Sequence, residues 1–374
     1  DRRDVYKRQE RVASMLCNEW QREHEVILAL FDCRAPAFNV AGKKVDLGAS
    51  AASGWLRKLI NPVLRVHRLR RLFQREQPDR IISFMESANF PTILAALLSG
   101  CLAKTIVSVH TNPLAIPWFH RGLIPVLYRL AGQVVAVSQG VANQLRRFGL
   151  PQRALCVIPN PLDLPDLHRR ALEAPCPRLA GDQRFILGVG RLVRHKGFDR
   201  LIEAFSLLQI PDIRLIILGE GPERLNLQSQ IESLGLSEKI WMPGEVRNPY
   251  PFYRLANCYV LSSRVEGFAI ALLEAMASGC PVAAFNCDHG PGEIIEHGVN
   301  GMLVQEGQVE LLAASITALL QDDVLANRIA EAGIRRASEY CISDIAKQWW
   351  ALPLKKAVNQ FGGISQDVQS EIIR

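Results

Sequence analysis

Short apolar runs rich in β-branched residues alternate along the chain with longer segments whose apolar residues recur at helical spacing. A short continuous apolar run is typical of a strand buried on both faces, and the longer periodic segments are typical of amphipathic helices. The runs predict strands at 25–30, 81–84, 105–109, 134–137, 155–158, 185–189, 213–218, 240–242, 258–261, 281–285 and 302–304. Helices are predicted between strands, among them 199–208, 223–234 and 269–278. This alternation predicts an α/β fold of parallel sheets with helices on both faces.

The predicted strands fall into two series, separated by a segment at 159–181 that has little periodicity. That segment contains five prolines, which are Pro159, Pro161, Pro165, Pro175 and Pro177. At roughly 150 residues per domain, a chain of 374 residues has room for two domains. We therefore predict a first domain at 10–160, a linker at 161–181, a second domain at 182–340 and a C-terminal segment at 341–374. In that last segment, a helix at about 342–358 with Trp349 and Trp350 is predicted to cross back to the first domain before a tail.

The first nine residues stand apart from this pattern. They begin without methionine and carry no strand pattern, and a helix-like segment starts after them at Glu10. We predict that residues 1–9 are a leader outside the fold.

Composition places the chain among globular proteins. Apolar residues make up 48% and charged residues 22%, so two sizeable cores are possible. The longest apolar stretch, at 90–109, is interrupted by Ser99, Gly100 and Lys104 and falls short of the ~20 residues of a membrane span. The nine cysteines are scattered without a C-x-x-C pair, which favours core cysteines in a reducing, cytoplasmic setting.

The net charge of +7 is weak evidence of an anionic partner, but the segment at 55–80 concentrates positive charge. Its cationic residues are Arg57, Lys58, Arg65, Arg68, Arg70, Arg71, Arg75 and Arg80, opposed by Glu76 and Asp79. Apolar residues recur within it at near-helical spacing. Two interpretations stay open: a basic amphipathic helix on an anionic membrane surface, or a helix packed on the sheet with a solvated basic face.

A glycine turn follows the predicted strand at 185–189. The sequence GVGRL at 188–192 leads to Lys196 and Gly197, where a helix begins. Glycines at a strand end permit a close approach of a ligand, and a helix start with Arg191 and Lys196 suits a diphosphate. An ordinary βα turn with surface cations is the alternative. A dinucleotide fingerprint is excluded because Val193 stands where its last glycine would fall, and no P-loop pattern occurs.

The sequence EGFAIALLE at 266–274 follows the strand at 258–261. It places Glu266 in a loop and Glu274 inside the next helix, with Gly267 between them. Backbone N–H groups at such a helix start face a ligand, while the two carboxylates accept hydrogen bonds from sugar hydroxyls. The alternative is a helix-start acid favoured by the dipole, with a satisfied helical glutamate.

These motifs together resemble the retaining glycosyltransferases of family 4, which have the GT-B architecture. The matching sequences are GVGRL at 188–192 with Lys196-Gly197, GEGP at 219–222, 266–274 running into AMASGCPV at 275–282, GPGEII at 290–295 and HGVNG at 297–301. The resemblance covers about residues 10–340. It implies two Rossmann-like domains that face each other across a cleft.

The resemblance also implies roles for individual residues. The donor-binding residues would be Gly190, Arg191, Lys196, Val246, Gly267, Phe268, Ala269, Ile270 and Glu274. Among them, Arg191 and Lys196 would hold the donor diphosphate, and Glu274 the ribose hydroxyls. The loop at 244–246 would face the nucleobase.

The implied catalytic residues are Glu266, His110, Arg191 and Lys196. Glu266 would hold the transferred sugar together with the backbone of 267–270. His110 ends a first-domain strand and matches a family position beside the acceptor; a packed strand-end histidine is the alternative. Asn160 matches the family's interdomain crossing and is predicted to be structural.

Three positions depart from the family pattern. The opening strand and its glycine-rich loop, expected before Glu10, are absent from this sequence. Ala269 stands where many members have Gly or Pro, and Gly292 stands where many have a basic or small polar residue.

The expected function is retaining transfer of a sugar from a nucleotide-sugar, expected to be a UDP-sugar, to a saccharide or lipid-linked acceptor in polysaccharide or lipopolysaccharide synthesis. No D-x-D sequence occurs, so we predict that neither a metal nor another cofactor is required and that Arg191, Lys196 and a helix dipole stabilise the leaving diphosphate. We predict a cytoplasmic protein that contacts the inner membrane surface through 55–80 and binds no nucleic acid. A GT-B sugar-nucleotide epimerase and a non-catalytic sugar-nucleotide-binding protein stay open as alternatives.

Overall fold

The protein is described by a computed structural model at residues 3–31, 40, 42–48, 55–110, 121–173 and 184–354. For residues 3–9 and 55–60 only the backbone is described. The predicted leader lies outside the described residues at 1–2, the predicted linker at 174–181 and the predicted C-terminal segment from 355 onward.

The described strands and helices alternate through most of the chain. The strands are β1 Ile27–Leu30, β2 Lys43–Asp46, β3 Ile81–Phe84, β4 Thr105–Val109, β5 Gln133–Ala136, β6 Leu155–Val157, β7 Arg184–Val189, β8 Ile213–Leu218, β9 Ile240–Gly244, β10 Cys258–Leu261, β11 Val282–Asn286 and β12 Met302–Gln305. The helices are α1 Arg3–Trp20, α2 Trp55–Glu76, α3 Glu86–Leu98, α4 Ile124–Leu127, α5 Gln139–Arg147, α6 Leu164–Ala171, α7 Phe198–Ser206, α8 Arg224–Ser233, α9 Tyr250–Leu255, α10 Ile270–Ala277, α11 Pro291–Ile294, α12 Val309–Gln321, α13 Asp323–Ser338 and α14 Ile342–Ala351.

The strands form three parallel sheets. One has four strands in the order β3-β4-β5-β6, another has six in the order β12-β11-β10-β7-β8-β9, and β1 pairs with β2 alone. The predicted strands are confirmed, with ends that differ by one or two residues. Strand β2 was not predicted because its sequence, KKVD, has a single apolar residue and is largely exposed.

The six-stranded sheet is buried on both faces. Alternate residues of β8 point to opposite sides, so Leu215 and Ile217 pack in one cluster and Ile216 and Leu218 in the other. Helices α7 and α12 cover the first cluster, and α9 and α10 cover the second. A parallel sheet requires such cover on both faces, which is why its strands read as continuous apolar runs.

The four-stranded sheet is covered in the same way. In β5, Val134 packs with α3 and α5, whereas Val135 packs with α1 and α14. The Trp349 ring of α14 is 2% exposed and lies 5.7 Å from Phe84 and 6.4 Å from Trp20, centroid to centroid. The helix near the C-terminus thus packs against the first sheet, and the domain boundaries stay predictions.

Part of the predicted linker is a packed element. Helix α6 begins after Asp163, whose side chain accepts from the Asp166 N–H at 3.0 Å, and Pro165 occupies its first turn. Leu167 and Ala171 are buried in the same cluster as Tyr250 of α9. The proline-rich pattern concealed this helix because proline is tolerated in a first helical turn.

The start of the chain is helical. The backbone of 3–9 continues without a break into the rest of α1, and the assignment of residues 1–9 as a leader stays a prediction. No proline or glycine interrupts the segment 3–20, which explains the uninterrupted helix.

Helix α2 packs on the first sheet through Leu69, Leu72 and Phe73, which are buried. His67, Arg70, Arg71 and Arg75 are exposed on its other side. Within the described ranges, no helix combines the length and the apolar character needed to traverse a membrane.

Candidate functional site

The loops that follow β7, β10 and β11 meet at the carboxyl edge of the six-stranded sheet. Strands β7 and β11 both pair with the central strand β10, so their ends are adjacent. In open parallel sheets, ligands bind outside this edge. The predicted donor residues after β7 and β10 therefore lie on the expected side of the sheet.

The loop after β7 is packed too tightly for side chains at its glycines. Gly197 has a φ of +66°, and a Cβ there would lie 2.0 Å from the Ser262 carbonyl oxygen. Gly219 has a φ of +145°, and its Cβ would lie 1.9 Å from the Gly190 carbonyl oxygen. These glycines hold the loops after β7, β8 and β10 in contact through their backbones.

Lys196 and Glu266 form an ion pair between two of these loops. Their side chains are only 11% and 8% exposed. Ser263 Oγ donates a hydrogen bond of 2.6 Å to Glu266 Oε1, the same oxygen that receives the Lys196 ammonium. The Lys196 stem also lies beside Gly190, since a Cβ on Gly190 would be 3.7 Å from Lys196 Cδ.

A buried thiol lies near this pair. Burial and, to a lesser extent, the Glu266 carboxylate raise the pKa of Cys287 to about 12, while Lys196 opposes the shift. The thiol is therefore protonated at neutral pH and behaves as a small core residue.

The loop 267–270 lies where the first unit, built on the four-stranded sheet, meets the second unit, built on the six-stranded sheet. Phe268 packs against the core clusters of both sheets, and Ile270 does the same. Gly290, with a φ of +114°, follows β11, and a Cβ on it would lie 3.3 Å from the Ala269 nitrogen. The loop is thus held from both sides next to Glu266.

Glu274 is buried on α10 and bonded from both units. The Tyr250 hydroxyl donates to Glu274 Oε1 at 3.1 Å, and Arg11 Nη1 donates to the same oxygen at 2.9 Å. Arg11 also donates to the Tyr250 hydroxyl. Arg11 and Tyr250 were not predicted as site residues, because they lie far apart in the chain and no local pattern joins them.

A second polar contact joins the two units. Both carboxylate oxygens of Glu293 accept from backbone N–H groups at the start of α5, Gln139 at 2.7 Å and Gly140 at 2.9 Å. A negative charge at a helix N-terminus is favourable. The neighbouring His289 ring lies against Gly140, where a Cβ would be 2.1 Å from Nδ1.

His110 directly follows β4 and is partly buried. Its Nε2 is 2.9 Å from Ser108 Oγ, and its ring centroid is 5.6 Å from that of Phe84. Burial lowers the pKa of His110 to about 4, an effect that the Asn160 side chain partly offsets. Among the described residues, no contact joins His110 to Lys196 or Glu274, so the site does not bring it together with the donor-side groups.

Arg191 and Val246 occupy the flanks of the site. Arg191 is partly buried and directly follows Gly190, whose N–H donates to the Leu218 carbonyl oxygen at 2.9 Å. Val246 is partly buried against the cluster that contains Tyr250. The roles assigned to Arg191, Val246 and the other donor residues stay predictions.

Comparisons with known families cover nearly the whole of both units. A family described as "Glycosyltransferase Family 4" matches residues 9–165, and "Glycosyl transferases group 1" matches residues 173–336. The chain belongs to glycosyltransferase family 4. The resemblance inferred from the motifs is therefore confirmed.

The glycosyltransferase is similar in sequence to several named proteins. It is 26% identical over 302 residues to N-acetylgalactosamine-N,N'-diacetylbacillosaminyl-diphospho-undecaprenol 4-alpha-N-acetylgalactosaminyltransferase of Campylobacter jejuni, covering 77% of this chain and 81% of the relative. It is 29% identical over 310 residues to the lipopolysaccharide core biosynthesis glycosyltransferase LpsD of Rhizobium meliloti, covering 81% and 84%. Against an uncharacterized glycosyltransferase of Haemophilus influenzae, the 29% identity extends over 45% of this chain and about half, 48%, of the relative.

Solved structures confirm the GT-B architecture of the glycosyltransferase. Anabaena HepE in complex with UDP and glucose has a TM-score of 0.75 and 22% identity, covering 91% of this chain and 94% of that chain. The apo form of the lipopolysaccharide outer core galactosyltransferase WaaB has a TM-score of 0.70 and 19% identity, covering 91% and 93%. The two large sheets are accordingly those of two Rossmann-like domains.

Proposed function

We propose that this glycosyltransferase moves a sugar from a UDP-sugar to a saccharide or lipid-linked acceptor, with retention of anomeric configuration, in the synthesis of a cell-surface polysaccharide or lipopolysaccharide. The observation that carries the proposal is the Lys196–Glu266 ion pair, braced by Ser263 between the glycine turn after β7 and the loop before α10. This pair supports the proposal because a cation suited to a diphosphate lies next to a carboxylate suited to a sugar.

The choice of UDP is supported by the structural relatives. Anabaena HepE has been solved with UDP, with UDP and glucose, and with UDP-glucose. The proposed pocket takes the diphosphate at Lys196 and Arg191, the ribose at Glu274 and the base near Val246. These assignments follow the positions that match the family motifs.

The acceptor class is supported by the names of the sequence relatives. One acts on a diphospho-undecaprenol-linked saccharide, others belong to lipopolysaccharide core biosynthesis, and another to amylovoran biosynthesis. A saccharide or lipid-linked acceptor suits a cleft whose first-domain wall includes His110.

The proposed chemistry relies on electrostatics rather than on a covalent intermediate. As the bond between the sugar and the diphosphate breaks, Lys196, Arg191 and the start of α7 stabilise the negative charge that develops on the leaving group. Glu266 steadies the positive charge of the sugar ring. With Glu274 assigned to ribose, no second carboxylate serves as a nucleophile, so we favour a front-face route in which the leaving phosphate deprotonates the acceptor hydroxyl. No metal or other cofactor is part of this proposal.

We also propose that α2 contacts the anionic inner surface of the membrane. Its exposed side carries Arg70, Arg71 and Arg75, and Val63 on the same helix is 68% exposed. The adjacent helix α3 exposes Leu94, Leu97 and Leu98. Basic and apolar side chains on neighbouring helices suit an anionic lipid surface, which would bring the protein close to a lipid-linked acceptor.

A donor screen tests the proposed reaction. Thermal unfolding is measured with UDP-, GDP- and ADP-sugars, and each stabilising donor is then incubated with and without lipid-linked saccharide acceptors. We expect stabilisation by a UDP-sugar and a product that requires the acceptor and keeps the donor's anomeric configuration. Conversion of the donor alone to an epimer, or binding without any turnover, would contradict the proposal.

A further inference from the structure

One side chain of the first domain reaches into the proposed donor site of the second. Arg11 lies on α1, and its guanidinium bonds Glu274 and Tyr250, which belong to helices α10 and α9. The Arg11 side chain is 28% exposed and that of Glu274 is 9% exposed, so the pair is largely shielded from water. A shielded charge-assisted hydrogen bond is stronger than one at the surface.

The contacts converge on a single carboxylate oxygen. Arg11 Nη1 lies 2.9 Å and the Tyr250 hydroxyl 3.1 Å from Glu274 Oε1. Both contacts use Oε1, and neither involves Oε2. One oxygen is thus fixed by the protein, and the orientation of the other is determined by the same contacts.

Tyr250 is in turn held rigidly. Its ring is fully buried, with the Arg170 guanidinium 5.0 Å from its centroid and Arg11 at 5.7 Å. Burial and the Glu274 carboxylate raise the pKa of its hydroxyl, so the hydroxyl is a protonated donor at neutral pH. Two donors of fixed position therefore set the plane of the Glu274 carboxylate.

We propose that Arg11 is a positioning residue for the donor: it orients Glu274 across the domain interface so that Oε2 faces the ribose hydroxyls. The inference rests on the proposed function, which assigns ribose to Glu274. Because Arg11 belongs to the first domain, the arrangement is complete only while the domains are together. Arg11 thereby couples donor affinity to domain closure without touching the donor.

The opposite role would be a latch that occupies Glu274 and keeps the donor out. The two roles predict opposite changes in affinity when Arg11 is removed. A latch predicts tighter binding, since the carboxylate is released for the ribose. A positioning residue predicts weaker binding, since the carboxylate loses its orientation and its charge partner.

Calorimetric titration with UDP and with 2′,3′-dideoxy-UDP separates these outcomes. The variants are Arg11→Ala, Arg11→Lys and Tyr250→Phe, with Arg22→Ala as the control, because Arg22 is 74% exposed just beyond the end of α1 and pairs with Glu19 only at the surface. We expect Arg11→Ala to weaken UDP binding about 10- to 100-fold, with a smaller loss for Arg11→Lys and Tyr250→Phe and none for Arg22→Ala. The dideoxy analogue, which has no ribose hydroxyl pair for Glu274, should bind all four variants and the unchanged protein with similar affinity.

Three results would overturn the role of Arg11. They are unchanged or tighter UDP binding by Arg11→Ala, an equal loss for UDP and the dideoxy analogue, and failure of Arg11→Lys to bind better than Arg11→Ala. Should Arg11→Ala unfold at the assay temperature, Arg11→Lys and Tyr250→Phe decide by the same comparison. If the unchanged protein binds none of UDP, GDP and ADP, the proposed function itself fails. That outcome differs from UDP binding by the unchanged protein that the Arg11 substitutions do not alter, which would contradict only the role of Arg11.

Discussion

At the scale of single residues, the site depends on charges that are buried in pairs. A lone buried charge costs several kcal/mol, so Lys196 and Glu266 each require the other. Ser263 adds a hydrogen bond that fixes which carboxylate oxygen faces the lysine. This arrangement holds both groups in place before a donor arrives, which is the condition for electrostatic catalysis.

The first prediction concerns Glu266. Glu266→Gln keeps the shape of the side chain and removes its charge, so the sugar ring loses its stabilising carboxylate while UDP contacts persist. We expect kcat to fall about 100- to 1,000-fold without a loss of UDP affinity, because Lys196 keeps its charge and loses the carboxylate that competes with the diphosphate. Initial rates and calorimetry measure the two quantities. Glu306→Gln, which removes a partly exposed partner of Arg200, is the control and should leave kcat unchanged; full activity of Glu266→Gln would disprove the role.

The second prediction concerns how His110 makes the stability of the protein depend on pH. Burial lowers its pKa in the folded protein from an ordinary 6.5 to about 4, so the unfolded chain binds a proton that the folded protein does not between these pH values. This contribution to stability is fully present above pH 6.5 and is lost as the pH falls towards 4, by up to about 3 kcal/mol. The melting temperature should therefore fall less steeply from pH 6.5 to 4.5 in His110→Gln than in the unchanged protein. Parallel slopes would show that His110 titrates normally.

At the scale of helices and strands, the sequence identified most of the structure because parallel strands leave continuous apolar runs. The two elements that were not predicted, β2 and α6, were missed for physical reasons. Strand β2 carries polar residues since it is mostly exposed, and the first turn of α6 contains Pro165, which the pattern assigned to a linker. The glycine turns and acids of the site were visible as local motifs, but the pairing of Arg11 with Glu274 depends on tertiary packing alone.

The third prediction concerns helix α2. The double variant Arg70→Glu/Arg71→Glu reverses two exposed charges, which should weaken attraction to anionic lipid. In cosedimentation with vesicles of phosphatidylglycerol and phosphatidylcholine, we expect about 10-fold or greater loss of binding at low salt, with unchanged melting temperature. Arg214→Glu/Arg328→Glu makes the same charge change on exposed residues of the second domain and should bind as before. An equal loss of vesicle binding in both variants would indicate that the net charge of the protein, and not a particular face, determines binding. No loss in either variant would indicate that the basic side of α2 is only solvated.

At the scale of the whole molecule, polar contacts between described residues hold the domains together at two separate places. Arg11 bonds Glu274, and Glu293 bonds the first turn of α5. Phe268 and Ile270 add apolar contacts between the clusters of the two domains. A closed cleft excludes water, which matters because water competes with the acceptor for the donor sugar.

The fourth prediction concerns Glu293. Removing its carboxylate in Glu293→Ala leaves two N–H groups of α5 without their partner and favours separation of the domains. We expect a larger radius of gyration by small-angle X-ray scattering and about 10-fold slower transfer, with a greater share of donor lost to hydrolysis. Glu296→Ala, an exposed neighbour, should behave as the unchanged protein. An unaltered scattering profile with unaltered transfer would mean that this contact does not hold the cleft closed.

A crystal structure of the protein with UDP tests the proposed donor site most directly. We predict a diphosphate oxygen within about 3 Å of Lys196 Nζ and a ribose hydroxyl within hydrogen-bonding distance of Glu274 Oε2, with Arg11 still bonded to Oε1. UDP bound away from the loops after β7 and β10, or a diphosphate that Lys196 does not contact, would contradict it.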